Sequence, residues 1–328
     1  MNNRRRLAYA IGATLTIPQI VFGQPKKPPV IIGWLHGTSS AGQASLAAHK
    51  EGLAALSYTE GTSYVIEARW GEGRLERLPV LAQELNEKKP VIIVTYLNVA
   101  TRAAANVAPQ TPIVQAVGGS PVDFGLAKSL ARPGGMVTGL TNLPTELSAK
   151  YLELLLAAAP NLKRVGFLID STASHGEHGE RLENVRRALS HYRVEGRFAE
   201  AGRPEDVPMA VARLAKEEVQ GLVLMPSNWL AVERFTIAKL ALTNRWPVVA
   251  GPRSFAEAGA LLSYSADALA LCRRAAYYVD RILKGAKPGE LPIEQPTTFV
   301  MAVNMRTAKA LGLTMPPEIM VRATRVIQ

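Results

Sequence analysis

Short apolar runs alternate with amphipathic segments along nearly the whole chain, and the series occurs twice. That alternation restricts the fold more than any other feature. "VIIGWL" (30–35), "SYVIEARW" (63–70), "VIIVTY" (91–96), "PIVQAV" (112–117) and "MVTGL" (136–140) read as strands. Helices are expected between them at 42–56, 76–88, 98–108 and 123–130. Leu46, Leu53 and Leu56 share one face of the first. Pro79 falls in the first turn of the second, where its missing N–H costs little. A helix at 148–158 opens the second series. Strands follow at 164–170, 193–200, 221–226, 247–251 and 259–265, with helices at 177–190, 204–216 and 229–243. Strands that are apolar without interruption belong in parallel sheets covered on both faces by helices. The expected class is α/β, with two doubly wound, Rossmann-like lobes. The tail departs from the pattern. A long helix at 266–284 carries a stripe of Leu269, Cys272, Ala276, Val279 and Leu283, and Gly285 and Pro288 close it. An extended "QPTTFVMAVN" (295–304), a short helix "MRTAKALG" and "MPPEIM" complete the chain.

A length of 328 residues suits about two domains, and 48% hydrophobic against 20% charged residues can fill two cores. Residues 1–23 read as a signal peptide. Arg4, Arg5 and Arg6 precede an uncharged, mostly apolar run from Leu7 to Phe22, and Val21-Phe22-Gly23 resembles a small-residue cleavage site. The alternative is a membrane anchor, for which the run is short and broken by Pro18. The expected location is therefore a bacterial-type periplasm. Cleavage removes three Arg and no acid, so the net charge falls from +11 to +8. The remaining bases are scattered rather than gathered in an aromatic-interleaved patch, so no nucleic acid partner is expected. One cysteine excludes an intramolecular disulfide, and its place in the apolar stripe makes Cys272 a buried small hydrophobe.

Ligands of open parallel sheets bind beyond the carboxyl ends of the strands. In the first series those ends offer Thr38, Ser39 and Ser40, then Tyr96 and Asn98, then Gly119 and Ser120, and last Asn142. In the second they offer Asp170 and Ser171, Ser227 and Asn228, and Arg253. Each loop also opens a helix, so capping explains any one of them. Together they describe a polar rim suited to a small anionic or zwitterionic ligand. Tyr96 floors the ligand or belongs to the core. Arg253 clamps a carboxylate or pairs with Glu257. Nucleotide and metal motifs are missing: "GEGRLE" (71–76) lacks the third Gly of a dinucleotide fingerprint, and there is no phosphate loop, C-x-x-C or H-E-x-x-H. No cofactor and no metal are expected, and His175 and His178 read as a solvated loop. "LHGTSSAG" resembles the His-Gly segment of some esterases, with Ser39 or Ser120 as nucleophile. Yet G-x-S-x-G is missing, because Val122 stands where its last Gly should be. No catalytic residue is expected.

Residues 29–325 resemble the ABC transporter substrate-binding proteins of the tryptophan/tyrosine type, which have a type I periplasmic-binding fold. "SLARPGGMVTG" and "GAKPGELPIEQPTTF" are the most specific matching segments, supported by "IGWLHG" and "ELSAKYLELLLAAAPNLKRVGFLID". The resemblance implies three crossings between lobes, near 139–144, 263–266 and 295–298. The first lobe would then hold 29–141 plus 266–296, and the second 142–265 plus 297–328. It further implies a monomer that closes on a small-molecule solute by hinge motion and delivers it to an ABC permease in the inner membrane; a sensor presenting its solute to a receptor is the alternative. Thr38, Ser39, Ser40, Tyr96, Asn98, Gly119, Ser120 and Asn142 would meet the solute from one side. Asp170, Ser171, Ser227, Asn228 and Arg253 would close from the other. The family usually shows Ser-Asp-Pro-Val where this chain has Gly119-Ser120-Pro121-Val122, and Asn-Pro where it has Asp170-Ser171-Thr172. Asp170 would then supply the acid for an amino acid's ammonium group, and a carboxylate-bearing solute without that group also fits.

Overall fold

The computed structural model describes residues 28–38, 43–142, 144–172, 175–227 and 230–328. The expected signal peptide, Ser39, Ser40 and Asn228 lie outside them, as do the side chains of His175 and His178.

The first sheet contains β1 (Val30–His36), β2 (Tyr64–Trp70), β3 (Ile92–Tyr96), β4 (Ile113–Val117) and β5 (Val137–Gly139). Its order is β2-β1-β3-β4-β5, and every pair is parallel. β1 shows why its sequence is apolar up to His36. Ile32 and Trp34 pack under α1 (Gln43–Ala55) and α9 (Ala268–Leu283), while Leu35 faces α2 (Leu78–Glu87) and α3 (Asn98–Val107). Successive side chains point to opposite faces, and both faces are roofed. α1 and α9 cross closely. A Cβ on Gly52 would stand 2.4 Å from the Arg273 carbonyl oxygen, so only glycine fits there. Asp267 caps α9, its carboxylate accepting the N–H groups of Leu269 at 3.0 Å and Ala270 at 3.1 Å. Cys272 is fully buried between these helices, as its place in the stripe requires.

The second sheet contains β6 (Arg164–Asp170), β7 (Glu195–Ala201), β8 (Gly221–Leu224), β9 (Val248–Ala250), β10 (Leu262–Ala266), β11 (Phe299–Asn304) and β12 (Arg325–Ile327). Its order is β12-β11-β10-β9-β8-β6-β7. The β10–β11 pair is antiparallel and the rest are parallel. α4 (Pro144–Ala158) and α5 (His175–Tyr192) cover one face with α10 (Met305–Leu311) and α11 (Pro317–Arg322). The other face is covered by α6 (Val207–Lys216), α7 (Arg234–Thr243) and α8 (Arg253–Ala258).

The chain passes from one sheet's elements to the other's three times, after β5, between β10 and α9, and before β11. The third passage lies between the other two. Glu294 donates its N–H to Gly139 O at 3.0 Å and accepts Thr141 N–H at 2.9 Å, while Thr298 O accepts Asp267 N–H at 2.9 Å. Arg274 of α9 grips the Glu294 carboxylate with two bonds of 2.8 and 2.7 Å. Among its effects, this pairing holds the Glu294 carboxyl below the usual carboxylate range.

Two expectations need correction. Residues 123–130 form turns rather than a helix. Gly125 adopts φ +69°, Leu126 N–H reaches back to Pro121 O at 2.9 Å, and Leu130 O is drawn out to accept Ile293 N–H at 2.7 Å. The helix expected from 229 begins at Arg234, after a turn over 230–233. α8 is the helix expected to open at the Arg253 loop, six residues long. β12, three residues long, was not anticipated.

Candidate functional site

In both sheets the chain reverses its winding beside the first strand laid down, β1 in one and β6 in the other. Loops on the two sides of such a strand diverge and leave a crevice beyond the carboxyl ends. The crossings depart from the carboxyl ends of β5 and β10, so both crevices border the same three connecting segments.

At the end of β1, His36 is 2% exposed. Register places it opposite Trp70 on β2 and Tyr96 on β3. Its ring stacks on Tyr96 at 4.1 Å between centroids and tilts against Trp70 at 5.1 Å. Nδ1 accepts the Thr38 N–H at 3.1 Å and lies 3.2 Å from Thr38 Oγ1. Burial drives the His36 pKa down from 6.5 to about 3, so the ring is neutral. Tyr96 and Trp70 are half-buried, and burial pushes the Tyr96 hydroxyl pKa up. His36 was missed by reading the rim alone. The signal was present: a polar residue two positions after Trp34 on an otherwise apolar strand points into the same core.

The loops after β3, β4 and β5 are joined from beneath by a residue that sequence reading also passed over. Gln115 of β4 is fully buried. Its Nε2 donates to Gly119 O at 2.8 Å and Leu140 O at 2.9 Å, and its Oε1 accepts Thr101 Oγ1–H at 3.0 Å. Thr101 Oγ1 lies 2.7 Å from Thr95 Oγ1. Leu97 enters α3 with φ +80°, a strained value for a residue with a side chain, and so presents Asn98 to the β4 loop. Asn98 Oδ1 accepts the Gly119 N–H at 2.6 Å, which occupies the donor that was expected to face a ligand. A side chain at Gly118 would collide with that same Oδ1 at 2.4 Å. Ser120 is half-buried. Asn142 donates its N–H to Gly118 O at 2.7 Å, and its Oδ1 is buried without a hydrogen-bond partner.

At the end of β6, Asp170 is 7% exposed and heavily engaged. Its Oδ1 accepts Thr172 N–H at 2.8 Å and Thr172 Oγ1–H at 2.6 Å, and its Oδ2 accepts Ser227 Oγ–H at 2.7 Å. Asp170 therefore binds the loops after β6 and β8 together. Ser227 Oγ in turn accepts Leu230 N–H at 3.2 Å. Ser171 is exposed. Arg253, exposed at the start of α8, pairs with Glu257 one turn on at 3.0 Å. Arg181 of α5 is buried, and its Nη1 donates to Pro226 O at 3.1 Å, beyond the end of β8. Arg181 thus brings its guanidinium to the carboxyl edge of the second sheet, a position the sequence did not single out.

The structure therefore gathers Thr38, Tyr96, Asn98, Gly119, Ser120 and Asn142 at the first lobe's rim, and Asp170, Ser171, Ser227 and Arg253 at the second's. Two such edges of hydroxyls, amides and helix starts can bind and orient a small polar molecule.

Comparison with known proteins agrees with this architecture. Residues 40–327 match the family model described as ABC transporter substrate binding protein. The chain belongs to that family. A tyrosine-binding protein of Clostridioides difficile is 23% identical over 258 residues, covering 78% of this chain and 73% of the relative. A Streptococcus ABC domain solved in complex with L-Trp superposes with TM-score 0.81 at 22% identity, over 91% of this chain and all of that one. A ligand-free, open substrate-binding protein with adhesive properties from Clostridium difficile gives TM-score 0.70 at 20% identity, over 91% and 99%. The type I periplasmic-binding fold and the substrate-binding family are both established for this chain. Among the described residues, no helix is long and apolar enough to cross a membrane.

Proposed function

We propose that this protein is exported to the periplasm as a monomer, captures a small polar organic solute between its lobes, and hands it to an ABC permease in the inner membrane. The solute is an amino acid or another carboxylate-bearing molecule. The observation that carries the reading is the pairing of two polar carboxyl edges across three hydrogen-bonded connecting segments, a layout suited to hinge closure. The relatives support the solute class: one is a tyrosine-binding protein and another was solved with L-Trp. Thr38, Ser39, Ser40, Asn98, Ser120 and Asn142 supply hydrogen bonds from the first lobe, with Tyr96 as an aromatic floor. Ser171, Ser227, Asn228 and Arg253 close from the second, and Asp170 keeps its loops in place. The reading requires no cofactor, metal or catalytic group.

Mass spectrometry of small molecules released from the purified protein identifies the solute, and thermal shift confirms it. A true solute at a hundredfold excess over its Kd adds about 2.7 kcal/mol of stability. If no amino acid or organic acid is released and none in a broad panel raises Tm, the reading is wrong.

A further inference from the structure

Beneath the first lobe's rim, three neighbouring side chains carry buried polar atoms without hydrogen-bond partners. Trp34 Nε1, His36 Nε2 and His49 Nε2 are buried and make no hydrogen bond, on residues that are 0%, 2% and 0% exposed. They belong to one cluster. The Trp34 ring stands 6.2 Å from that of His36 and 5.4 Å from that of His49. Their protonation follows from the bonds on the other side of each imidazole. His36 Nδ1 accepts the Thr38 N–H, so the proton of the neutral ring is on Nε2. His49 Nδ1 lies 3.1 Å from the Cys272 carbonyl oxygen, which only accepts, so there the proton is on Nδ1 and Nε2 carries a lone pair. The cluster thus offers two donors, Trp34 Nε1–H and His36 Nε2–H, and one acceptor, His49 Nε2.

Buried polar groups of this kind are nearly always satisfied, and internal waters with about three partners commonly do it. We propose that Trp34, His36 and His49 hold one internal water, which accepts from the first two and donates to the third. The water completes a chain of contacts running from the α1–α9 interface at Cys272 to Thr38 at the rim. By holding the His36 proton on Nε2, it keeps Nδ1 as the acceptor that orients Thr38. The three residues are positioning residues for that part of the rim, and the inference stands whether or not the solute reading does.

The test uses the full chain labelled with nitrogen-15 at histidine. Long-range proton–nitrogen correlation spectra at pH 7 should show two neutral imidazoles in opposite tautomers, His36 protonated at Nε2 and His49 at Nδ1. A crystal structure at a resolution that shows solvent should place one water within hydrogen-bond distance of all three atoms. Oxygen-17 relaxation dispersion should count one fewer long-lived water in Trp34→Phe. Matching tautomers, a charged ring, or a dry cluster in the crystal overturns the proposal. The spectra and the crystal use the unaltered protein, so a variant that fails to fold leaves the test intact.

Discussion

His36 and His49 are neutral bases sealed inside the first lobe, with burial lowering their pKa values from 6.5 to about 3 and about 4. Trp34, Trp70, Tyr96, Thr38 and the Cys272 carbonyl surround them, and none of these is a carboxylate that would hold an imidazolium. Unfolding frees both rings to take up protons at 6.5. Their contribution is therefore fully present above pH 6.5 and is lost as the pH falls toward their folded values. At pH 5 each should cost about 2 kcal/mol of stability. Urea unfolding at pH 7.5 and pH 5 measures this, and His36→Gln/His49→Gln should flatten the difference; an unaltered protein equally stable at both would refute it. Gln115 is the second critical residue. Gln115→Leu strips donors from the buried carbonyls of Gly119 and Leu140, and should cost about 2–4 kcal/mol by the same unfolding assay. Gln115 was not legible as part of the site, and His36 was legible only as a polar break in an apolar strand. A sequence displays which residues follow a strand, whereas His36 and Gln115 lie within strands and act through register and depth.

The strands were legible because parallel sheets roofed on both faces demand apolar runs, and β1, β3 and β4 have them. The helix expected over 123–130 was not, because its apolar spacing competes with Gly125 and with long-range bonding of Leu130 to Ile293. β12 is three residues bonded to β11, with no periodicity of its own to read. The α1–α9 crossing carries a prediction at this scale. Gly52→Ala forces a methyl into the Arg273 carbonyl and should lower stability by about 1–3 kcal/mol in thermal or urea unfolding. Asp267→Ala removes the cap of α9, which should cost about 1 kcal/mol. A null result for Gly52→Ala would mean that the helices separate without loss.

Across the whole molecule, the polar edges of the two lobes share three connecting segments, with Glu294 bonded into the central one. If closure is how the protein binds, its released solute should shrink the radius of gyration in small-angle X-ray scattering, and an unchanged profile at saturation would argue against it. The two-lobe plan was legible because the βα series restarts at 148 and breaks at 266. Which polar groups at the edges are already spoken for was not. Asp170 and Gly119 look available in sequence and are bonded to their own chain.

The placement of α9 also bears on how the protein is made. His49 and Cys272 touch although 223 positions separate them, and α9 roofs a sheet whose strands all precede residue 140. On the ribosome, the first lobe emerges with one apolar face covered by α1 alone, and the rest of that face stays open until most of the second lobe has been translated. A nascent chain stopped short of Leu283 has no way to finish its opening half, so folding must wait for the last stretch of synthesis.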